Sequence, residues 1–398
     1  MKIMICGGAG AMAWPAELYM LDQKDLEKLT IADYSQPAMD KRVAALKNDP
    51  RLDTVLMDIS DIDASAEQMK GYDVVLAMVP CQLTTPAIKA ALKAGVNYAD
   101  MGSFETEVQL ALDDDFKKIG KTAALGLGTA CGTSYFAPAV VVDEMDSVED
   151  IYCLDACVNI VPHSEHTFPL HWGYSLDCIL DEFSADADYM ENGVVMQEPA
   201  RSHGEVVHFL PPAGDTWIAI TDHPEVPVWY DTWKDKGLKN AAWKIGYEED
   251  FEKKMRFIVA LGFADPDKKV KVGGVEVNPR EVFLATIRSL EPEKGKQPDF
   301  RGHMVFKIKG VEKGQKVEYF ITEWSTPELT KWMQDRGVFS SYRTGTYAAI
   351  ATVMMARGET TKTGAVYPHL CLSSRDYIKE CIRVGIDFTY ERRVCIDL

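Results

Sequence analysis

Residues 2–13 read Lys-Ile-Met-Ile-Cys-Gly-Gly-Ala-Gly-Ala-Met-Ala, an apolar run that passes directly into a cluster of glycines. The run predicts a buried β-strand, and the glycines predict a tight turn into a helix. Within it, Gly8, Gly10 and Ala13 match the pattern G-x-G-x-x-A. In that pattern the first glycine permits the turn, the second lets backbone N–H groups approach a pyrophosphate, and the small third residue lets helix and strand pack closely. The phosphates of a dinucleotide would then lie against the helix N-terminus, beside Ala11 and Met12.

An acidic residue at the end of the next strand supports this interpretation. The run Leu29-Thr30-Ile31-Ala32-Asp33 predicts a second strand that ends on a carboxylate. A carboxylate at this place accepts hydrogen bonds from both ribose hydroxyls, whereas a 2′-phosphate would meet its negative charge. Asp33 therefore predicts NAD as the cofactor in preference to NADP.

Two further strand ends carry candidate cofactor contacts. Asp58 and Ile59 follow the third predicted strand, where Asp58 either contacts the adenine amino group or caps a helix. Val79 and Pro80 follow the fourth, where the nicotinamide half should pass along the carboxyl edge of the sheet. Pro80 is equally consistent with a plain turn.

The rest of the first third alternates between short apolar runs and segments with helical spacing. The predicted strands are 2–6, 29–32, 54–57, 73–79, 98–101 and 122–127. Strands that alternate with helices indicate a doubly wound α/β domain with a parallel Rossmann sheet, which we place at residues 1–128. Residues 129–339 predict an α+β domain with a mixed sheet and hairpins, and the apolar helical run 344–357 predicts a C-terminal segment, 340–398, that completes the first domain.

Composition bounds the class of protein. The chain has 398 residues, 46% hydrophobic and 26% charged, which is typical of a globular protein of about two domains. With 43 basic against 61 acidic residues, the formal net charge is -18, so nucleic acid and anionic membranes are poor partners. No apolar run approaches a membrane span, and the nine scattered cysteines form no CxxC pair, so we expect a cytoplasmic protein without a disulfide framework.

Taken together, these pieces resemble the saccharopine dehydrogenase-like family, which includes saccharopine reductases, lysine 6-dehydrogenases and carboxynorspermidine dehydrogenases. The segments that carry the resemblance are 8–13, 32–33, 57–59, 73–80, 94–100, 126–134, 343–349 and 354–358. The resemblance implies an NAD(P)-dependent oxidoreductase acting on a C–N bond of an amino acid or polyamine, by oxidative deamination or imine reduction. It also implies an inserted domain that carries the substrate and the contact of a homodimer, with a site between the domains. The chain departs from the family at Cys131-Gly132 and Ser134-Tyr135, on the substrate side.

Such chemistry needs a proton donor or acceptor with a pKa near neutrality. His166 and His171, in a histidine-rich stretch with His163, are candidates, with solvated loop histidines as the alternative. Asp100 matches the family's Tyr-x-Asp and would hold an amine or position water, unless it caps a helix. Cys131 is either a proton donor or a packed thiol.

Substrate contacts are predicted from aromatic and cationic residues. Trp172, Tyr174 and Ser175 resemble the family's aromatic substrate wall, although core packing explains them equally well. Arg201 and Arg343 are the candidate ligands for a substrate carboxylate, because a guanidinium binds a carboxylate in bidentate geometry.

Two other classes of function compete. The cluster of His163, His166 and His171 offers ligands for a metal-dependent hydrolase or lyase, but it lacks the H-E-x-x-H spacing on a helix, so we expect no metal site. A cofactor-binding protein without catalysis is the other alternative.

Overall fold

The computed structural model describes residues 1–103, 105–159, 170, 174–211, 213–290, 300–336 and 338–395. These residues form two compact units, 1–140 with 331–386, and 141–330 with 387–398. The sequence-based division at 128/129 and 339/340 differs from these bounds, and the last described residues, 387–395, lie in the second unit. No helix in the described part of the chain is both long enough and apolar enough to cross a bilayer.

The first unit begins with alternating strands and helices. In chain order they are β1 Lys2–Cys6, α1 Ala13–Leu21, β2 Lys28–Asp33, α2 Gln36–Ala45, β3 Leu52–Leu56, α3 Ile62–Met69, β4 Val74–Ala77, α4 Thr84–Ala94, β5 Asn97–Asp100, α5 Thr106–Leu110, α6 Asp113–Lys118, β6 Thr122–Ala124 and α7 Thr133–Val142.

The second unit follows with a mixture of strands and helices. They are β7 Ser147–Asn159, α8 Leu176–Glu182, β8 Ala187–Glu191, β9 Val194–Glu198, β10 Glu205–His208, β11 Asp215–Ile220, α9 Glu225–Trp233, β12 Asn240–Gly246, α10 Glu249–Ala260, β13 Val270–Val272, β14 Val275–Val277, α11 Pro279–Ser289, β15 Phe300–Glu312 and β16 Gln315–Ser325. The closing segment holds α12 Pro327–Arg336, α13 Phe339–Ala356, β17 Gly364–Val366, α14 Ser374–Arg383 and β18 Ile386–Val394.

The first unit is built on a parallel sheet. Its described strands lie in the order β17-β6-β5-β4-β1-β2-β3, and every pair is parallel. Strands β1 and β4 lie next to each other and are almost wholly buried, as expected of strands covered on both faces by helices. The order reverses beside β1, which places a crevice at the carboxyl ends of β1 and β4. The predicted doubly wound fold is confirmed.

The C-terminal helix α13 belongs to the first unit and packs against α1. Gly345 makes the approach possible, because a Cβ atom at this position would lie 2.3 Å from the carbonyl oxygen of Met12. The sequence predicts this buried helix at 344–357, whereas the observed helix begins at Phe339 and ends at Ala356. It packs against α1, the helix that follows the glycine turn.

The second unit is built on a mixed sheet in the order β10-β11-β12-β7-β15-β16-β18, with β8 paired to β12 and to β9. The long strand β7 runs parallel to β12 and antiparallel to β15. The predicted mixed α+β architecture is confirmed. In this region the sequence predicts strands at 150–159, 206–210, 269–272, 303–309 and 316–322, which correspond to β7, β10, β13, β15 and β16. It does not predict β8, β9, β11, β12, β14 or β18.

Candidate dinucleotide-binding site

The glycine turn after β1 is anchored on β2. The N–H groups of Gly7 and Gly8 both donate to the carbonyl oxygen of Ala32, at 2.8 and 3.1 Å. Gly7 has φ +75°, and a Cβ atom on it would lie 2.4 Å from the carbonyl oxygen of Met78. The left-handed turn glycine is therefore Gly7, and not Gly8 as the pattern predicts. A Cβ atom on Gly8 would instead lie 2.8 Å from the Ile31 side chain, so this glycine allows the turn to approach β2 closely.

The outer part of the turn presents backbone donors. Gly10 and Ala11 are exposed, whereas Ala13, the first residue of α1, is buried. The N–H of Gly10 donates to Gly7, but the N–H groups of Ala11 and Met12 make no hydrogen bond to any residue that the structure describes. Open N–H groups at the N-terminus of a helix form a binding site for an anion such as a pyrophosphate.

The carboxylate of Asp33 closes the other side of the turn. Its Oδ2 accepts the N–H of Ala9 at 3.1 Å, and its Oδ1 accepts the N–H of Ser35 at 3.1 Å. Only 8% of the residue is exposed. Each oxygen keeps a lone pair for a further donor, because a carboxylate oxygen accepts two hydrogen bonds. The loop and Asp33 therefore fit a dinucleotide with free ribose hydroxyls.

The other predicted cofactor contacts occupy the same edge of the sheet. Asp58 is exposed and accepts hydrogen bonds from the N–H and the hydroxyl of Ser60, which lower its pKa. The helix cap that we considered for Asp58 belongs to Asp61, whose side chain accepts the N–H of Ala64. Ile59 is buried. Val79 is half-buried and Pro80 is exposed immediately before a short 3₁₀ turn.

Arg42 of α2 was missed by the sequence analysis and contacts the back of the glycine turn. Its Nη1 donates to Gly8 O at 3.3 Å, and its Nη2 donates to Ala9 O at 3.1 Å and to Gly10 O at 2.9 Å. The guanidinium also stacks over the ring of Trp14, 5.1 Å from its centroid.

Glu17 of α1 forms an ion pair with the same guanidinium. Its Oε2 accepts Arg42 Nη1 at 2.6 Å, and its side chain has no exposed surface. Burial raises the pKa of Glu17 to about 8, against the opposing effect of Arg42. The ion pair therefore connects α1 and α2 to the glycine turn.

Asp100 lies at the carboxyl end of β5 with no exposed surface. Its carboxylate accepts the N–H of Gly102 at 3.0 Å, the N–H of Gly126 at 2.9 Å and Nε2 of Gln109 at 2.8 Å. Burial raises its pKa above the usual range for an aspartate. These bonds tie the chain after β5 to the chain after β6. Asp100 therefore neither caps a helix nor offers an exposed atom to a substrate.

Cys131 follows β6 in the same region and is 8% exposed. Its Sγ lies 3.9 Å from the carbonyl oxygen of Met101, and a Cβ atom on Gly126 would approach the sulfur to 2.7 Å. The thiol is thus packed between the two loops at the carboxyl edge of the sheet.

The predicted substrate residues of the second unit have structural partners of their own. The hydroxyl of Tyr174 donates to Glu182 at 2.5 Å, and Ser175 caps α8. Arg201 is 5% exposed, and its Nη2 and Nε donate to the Glu252 carboxylate at 2.8 and 3.3 Å. Three aromatic rings surround this guanidinium. The Cζ atom of Arg201 lies within 5.7 Å of the ring centroids of Phe183, Trp217 and Tyr247. Arg201 therefore forms a buried ion pair with Glu252.

The remaining candidates are placed differently. Arg343 lies half-buried on α13 of the first unit. His163, His166, His171 and Trp172 lie outside the described residues, so their predicted roles stay predictions. Within the described ranges, no group of three or more His, Cys, Asp or Glu side chains is arranged to hold a metal ion.

A cavity of about 1060 Å³ opens in the second unit. Trp217 and Tyr247 form the aromatic part of the cavity wall. The charged residues of the wall are Asp215, Glu248, Glu249, Glu252, Lys253 and Arg256. Carboxylates outnumber cations among these residues, but Glu252 is paired with Arg201 and Arg256, and Glu249 is paired with Lys253.

Comparison with protein families agrees with the geometry of the first unit. Residues 3–124 match the sequence model of the saccharopine dehydrogenase NADP binding domain. The match covers 122 of the 398 residues. It includes the glycine turn, Asp33 and Asp100.

Similarity to known proteins extends over the whole chain. Carboxyaminopropylagmatine dehydrogenase of Synechocystis sp. is 23% identical over 378 residues, 91% of each chain. Saccharopine dehydrogenase (L-Glu forming) of Saccharomyces cerevisiae has a similar structure, with a TM-score of 0.74 at 14% identity over 98% of this chain and 99% of that one. Homospermidine synthase of Legionella pneumophila, whose structure was solved in complex with NAD, has a TM-score of 0.64. Its sequence is 11% identical, and the match covers 98% of this chain and 91% of that one. These two likenesses establish the fold.

Proposed function

We propose that the protein is an NAD(P)-dependent dehydrogenase that acts on a C–N bond of an amino acid or polyamine, by oxidative deamination or imine reduction. The observation that carries the proposal is the Asp33 carboxylate, held against the glycine turn with both oxygens hydrogen-bonded to backbone N–H groups. The relative from Synechocystis is named as a dehydrogenase of an aminopropyl-agmatine derivative, which supports the same bond type.

NAD is the proposed cofactor in preference to NADP. Asp33 would accept the two ribose hydroxyls, and its charge would repel a 2′-phosphate. The N–H groups of Ala11 and Met12, at the start of α1, would bind the pyrophosphate. Asp58 and Ile59 would flank the adenine, and Val79 and Pro80 would flank the nicotinamide half.

When bound, the cofactor accepts a hydride from the carbon of an amine or returns one to an imine carbon. The chain must hold that carbon, exclude water and move the proton of the nitrogen. His166, His171 and Cys131 are the proposed proton donors or acceptors. Asp100 is a positioning residue, because its buried carboxylate fixes the loops after β5 and β6, which include Cys131.

The substrate is proposed to be cationic. Asp215 and Glu248 of the second unit's cavity are the proposed ligands of the amine, since Glu249 and Glu252 are paired with Lys253, Arg201 and Arg256. Trp217 would provide an aromatic face for its chain. Tyr174, Ser175 and Trp172 remain proposed as wall residues, and Arg343 is the proposed ligand of a substrate carboxylate. A homodimer through the second unit and a cytoplasmic location stay predictions, of which light scattering on the purified protein tests the first.

Absorbance at 340 nm tests the proposal. Lysine, other diamino acids, saccharopine, carboxynorspermidine and carboxyaminopropylagmatine would each be offered with NAD and, separately, with NADP. We expect reduction of NAD, and slower reduction of NADP, with at least one amine. Single replacements of His166, His171 and Cys131 then identify the proton-transfer group. Binding of NADH without turnover of any amine would favour the non-catalytic alternative, and absence of NADH binding would overturn the proposal.

A further inference from the structure

Three consecutive carbonyl groups of the glycine turn point at one guanidinium. Arg42 donates hydrogen bonds to Gly8 O, Ala9 O and Gly10 O, each within 3.3 Å. Glu17 and the Trp14 ring hold the guanidinium in place. Only 12% of the Arg42 side chain is exposed. A side chain on α2 thus controls the orientation of the peptide planes on which the cofactor would lie.

The orientation of the carbonyls fixes the orientation of the donors. In a planar trans peptide, the C=O of one residue points opposite to the N–H of the next. Because the carbonyl of Gly8 points towards Arg42, the N–H of Ala9 points away from Arg42. There it donates to Asp33 Oδ2 at 3.1 Å. By the same rule the carbonyl of Gly10 sends the N–H of Ala11 outward, where no described residue receives it.

The terminal nitrogens of Arg42 are already occupied by contacts within the protein. An arginine side chain has five N–H donors. Four contacts occupy the two terminal nitrogens, to three carbonyls and Glu17. Only the Nε–H remains, so the guanidinium would have to release part of the turn in order to bind a phosphate through two nitrogens.

From this geometry we infer that Arg42 is a positioning residue that sets the affinity for the dinucleotide, by fixing the outward N–H of Ala11 and the bond between Ala9 and Asp33. The inference rests on the proposed function, because it assumes that this turn binds NAD. Lysine cannot replace Arg42, since an ammonium group cannot offer a planar fork to three carbonyls and a carboxylate.

The test compares Arg42→Met and Arg42→Lys with a matched control, Arg51→Met. Arg51 lies in the same unit and also holds backbone carbonyls, with Nη2 donating to Leu21 O at 2.6 Å and Nη1 to Gln23 O at 3.1 Å, but not those of the glycine turn. Fluorescence titration with NADH gives the dissociation constant, and a thermal melt confirms that each variant is folded.

We expect both Arg42 variants to raise the dissociation constant of NADH about tenfold or more, and Arg51→Met to leave it unchanged. With a substrate in hand, KM for NAD should rise while kcat at saturating NAD stays near that of the unaltered protein. Wild-type affinity in a folded Arg42→Lys variant, or an equal loss in Arg51→Met, would overturn the inference. Failure of the unaltered protein to bind NADH would instead overturn the proposed function itself.

Discussion

The carboxylate of Asp33 accepts the N–H of Ala9 at 3.1 Å, so the acid at the end of β2 is joined directly to the glycine turn at the end of β1. One side chain thereby orients the turn and, in the proposed function, would also bind the cofactor ribose. The two functions can be separated by changing its charge and by changing its hydrogen bonds.

Replacement of Asp33 by Asn should reduce the preference for NADH over NADPH. The amide keeps an oxygen for the N–H of Ala9, but it removes the charge that repels a 2′-phosphate and one acceptor of the ribose hydroxyls. We expect the dissociation constant of NADH to rise about tenfold or more and that of NADPH to rise less or to fall. Fluorescence titration of both cofactors measures this. Asp53→Asn is the control, because Asp53 pairs with Lys28 on the neighbouring strand. Equal losses for NADH and NADPH would remove Asp33 from the ribose site.

Replacement of Gly7 by Ala should disrupt the turn through a steric clash. Gly71 is the matched control, because its φ of +83° is similar but a Cβ atom there meets nothing within 4 Å. Gly71→Ala should cost about 1–2 kcal/mol from its left-handed backbone alone. Gly7→Ala should cost more and should also weaken NADH binding, since its Cβ atom would displace the carbonyl of Met78. Chemical denaturation and NADH titration of both variants provide the comparison, and similar losses in the two would contradict the clash.

A buried histidine in the second unit should make stability depend on pH. The ring of His223 stacks on Trp243, and its Nδ1 lies 2.6 Å from the Glu225 carboxylate, which has no exposed surface. Burial lowers the pKa of His223, but the nearby carboxylates Glu225, Glu182 and Asp222 outweigh that effect and raise it from 6.5 to about 9. The raised pKa means that the folded state binds this proton more tightly than the unfolded state does.

The stability that His223 contributes should be complete below pH 6.5 and lost as the pH rises through about 9. His223→Gln should remove this part of the pH dependence, so that the difference in melting temperature between the two proteins shrinks from pH 6 to pH 9. Thermal melts across that range measure it. A constant difference would show that the ring does not carry the proton in the folded protein.

The sequence predicted the elements whose pattern is local. Strand β1 was predicted with its observed bounds, and β2 to within one residue at each end, because both are short apolar runs followed by turn signals. The predicted strand 122–127 is longer than β6, but Leu125 and Leu127 still donate to the backbone of Val366 and Asp100 beside it. Turn residues Asn192 and Gly193, between β8 and β9, were a hairpin signal that was overlooked.

The sequence could not predict contacts that depend on packing between elements. Strand β12 reads Asn-Ala-Ala-Trp-Lys-Ile-Gly and has no alternation, since it lies buried between β11 and β7. Arg42 contacts the glycine turn only because α2 packs beside it, and no motif marks that position. Asp100 fits the family pattern, but its complete burial follows from loops that come from distant parts of the sequence.

The two candidate arginines for a substrate carboxylate should respond differently to mutation. Arg201 is buried against Glu252, whereas Arg343 lies half-buried on α13. Arg201→Met leaves the Glu252 carboxylate with the more exposed Arg256 as its partner, at 2.8 Å, so we expect a loss of about 3 kcal/mol of unfolding free energy. Arg343→Met should raise KM for a substrate that carries a carboxylate, with no effect on KM for a diamine that lacks one. Denaturant titration and steady-state kinetics on both variants separate the two roles. A stable Arg201→Met variant with a raised KM would return Arg201 to the substrate site.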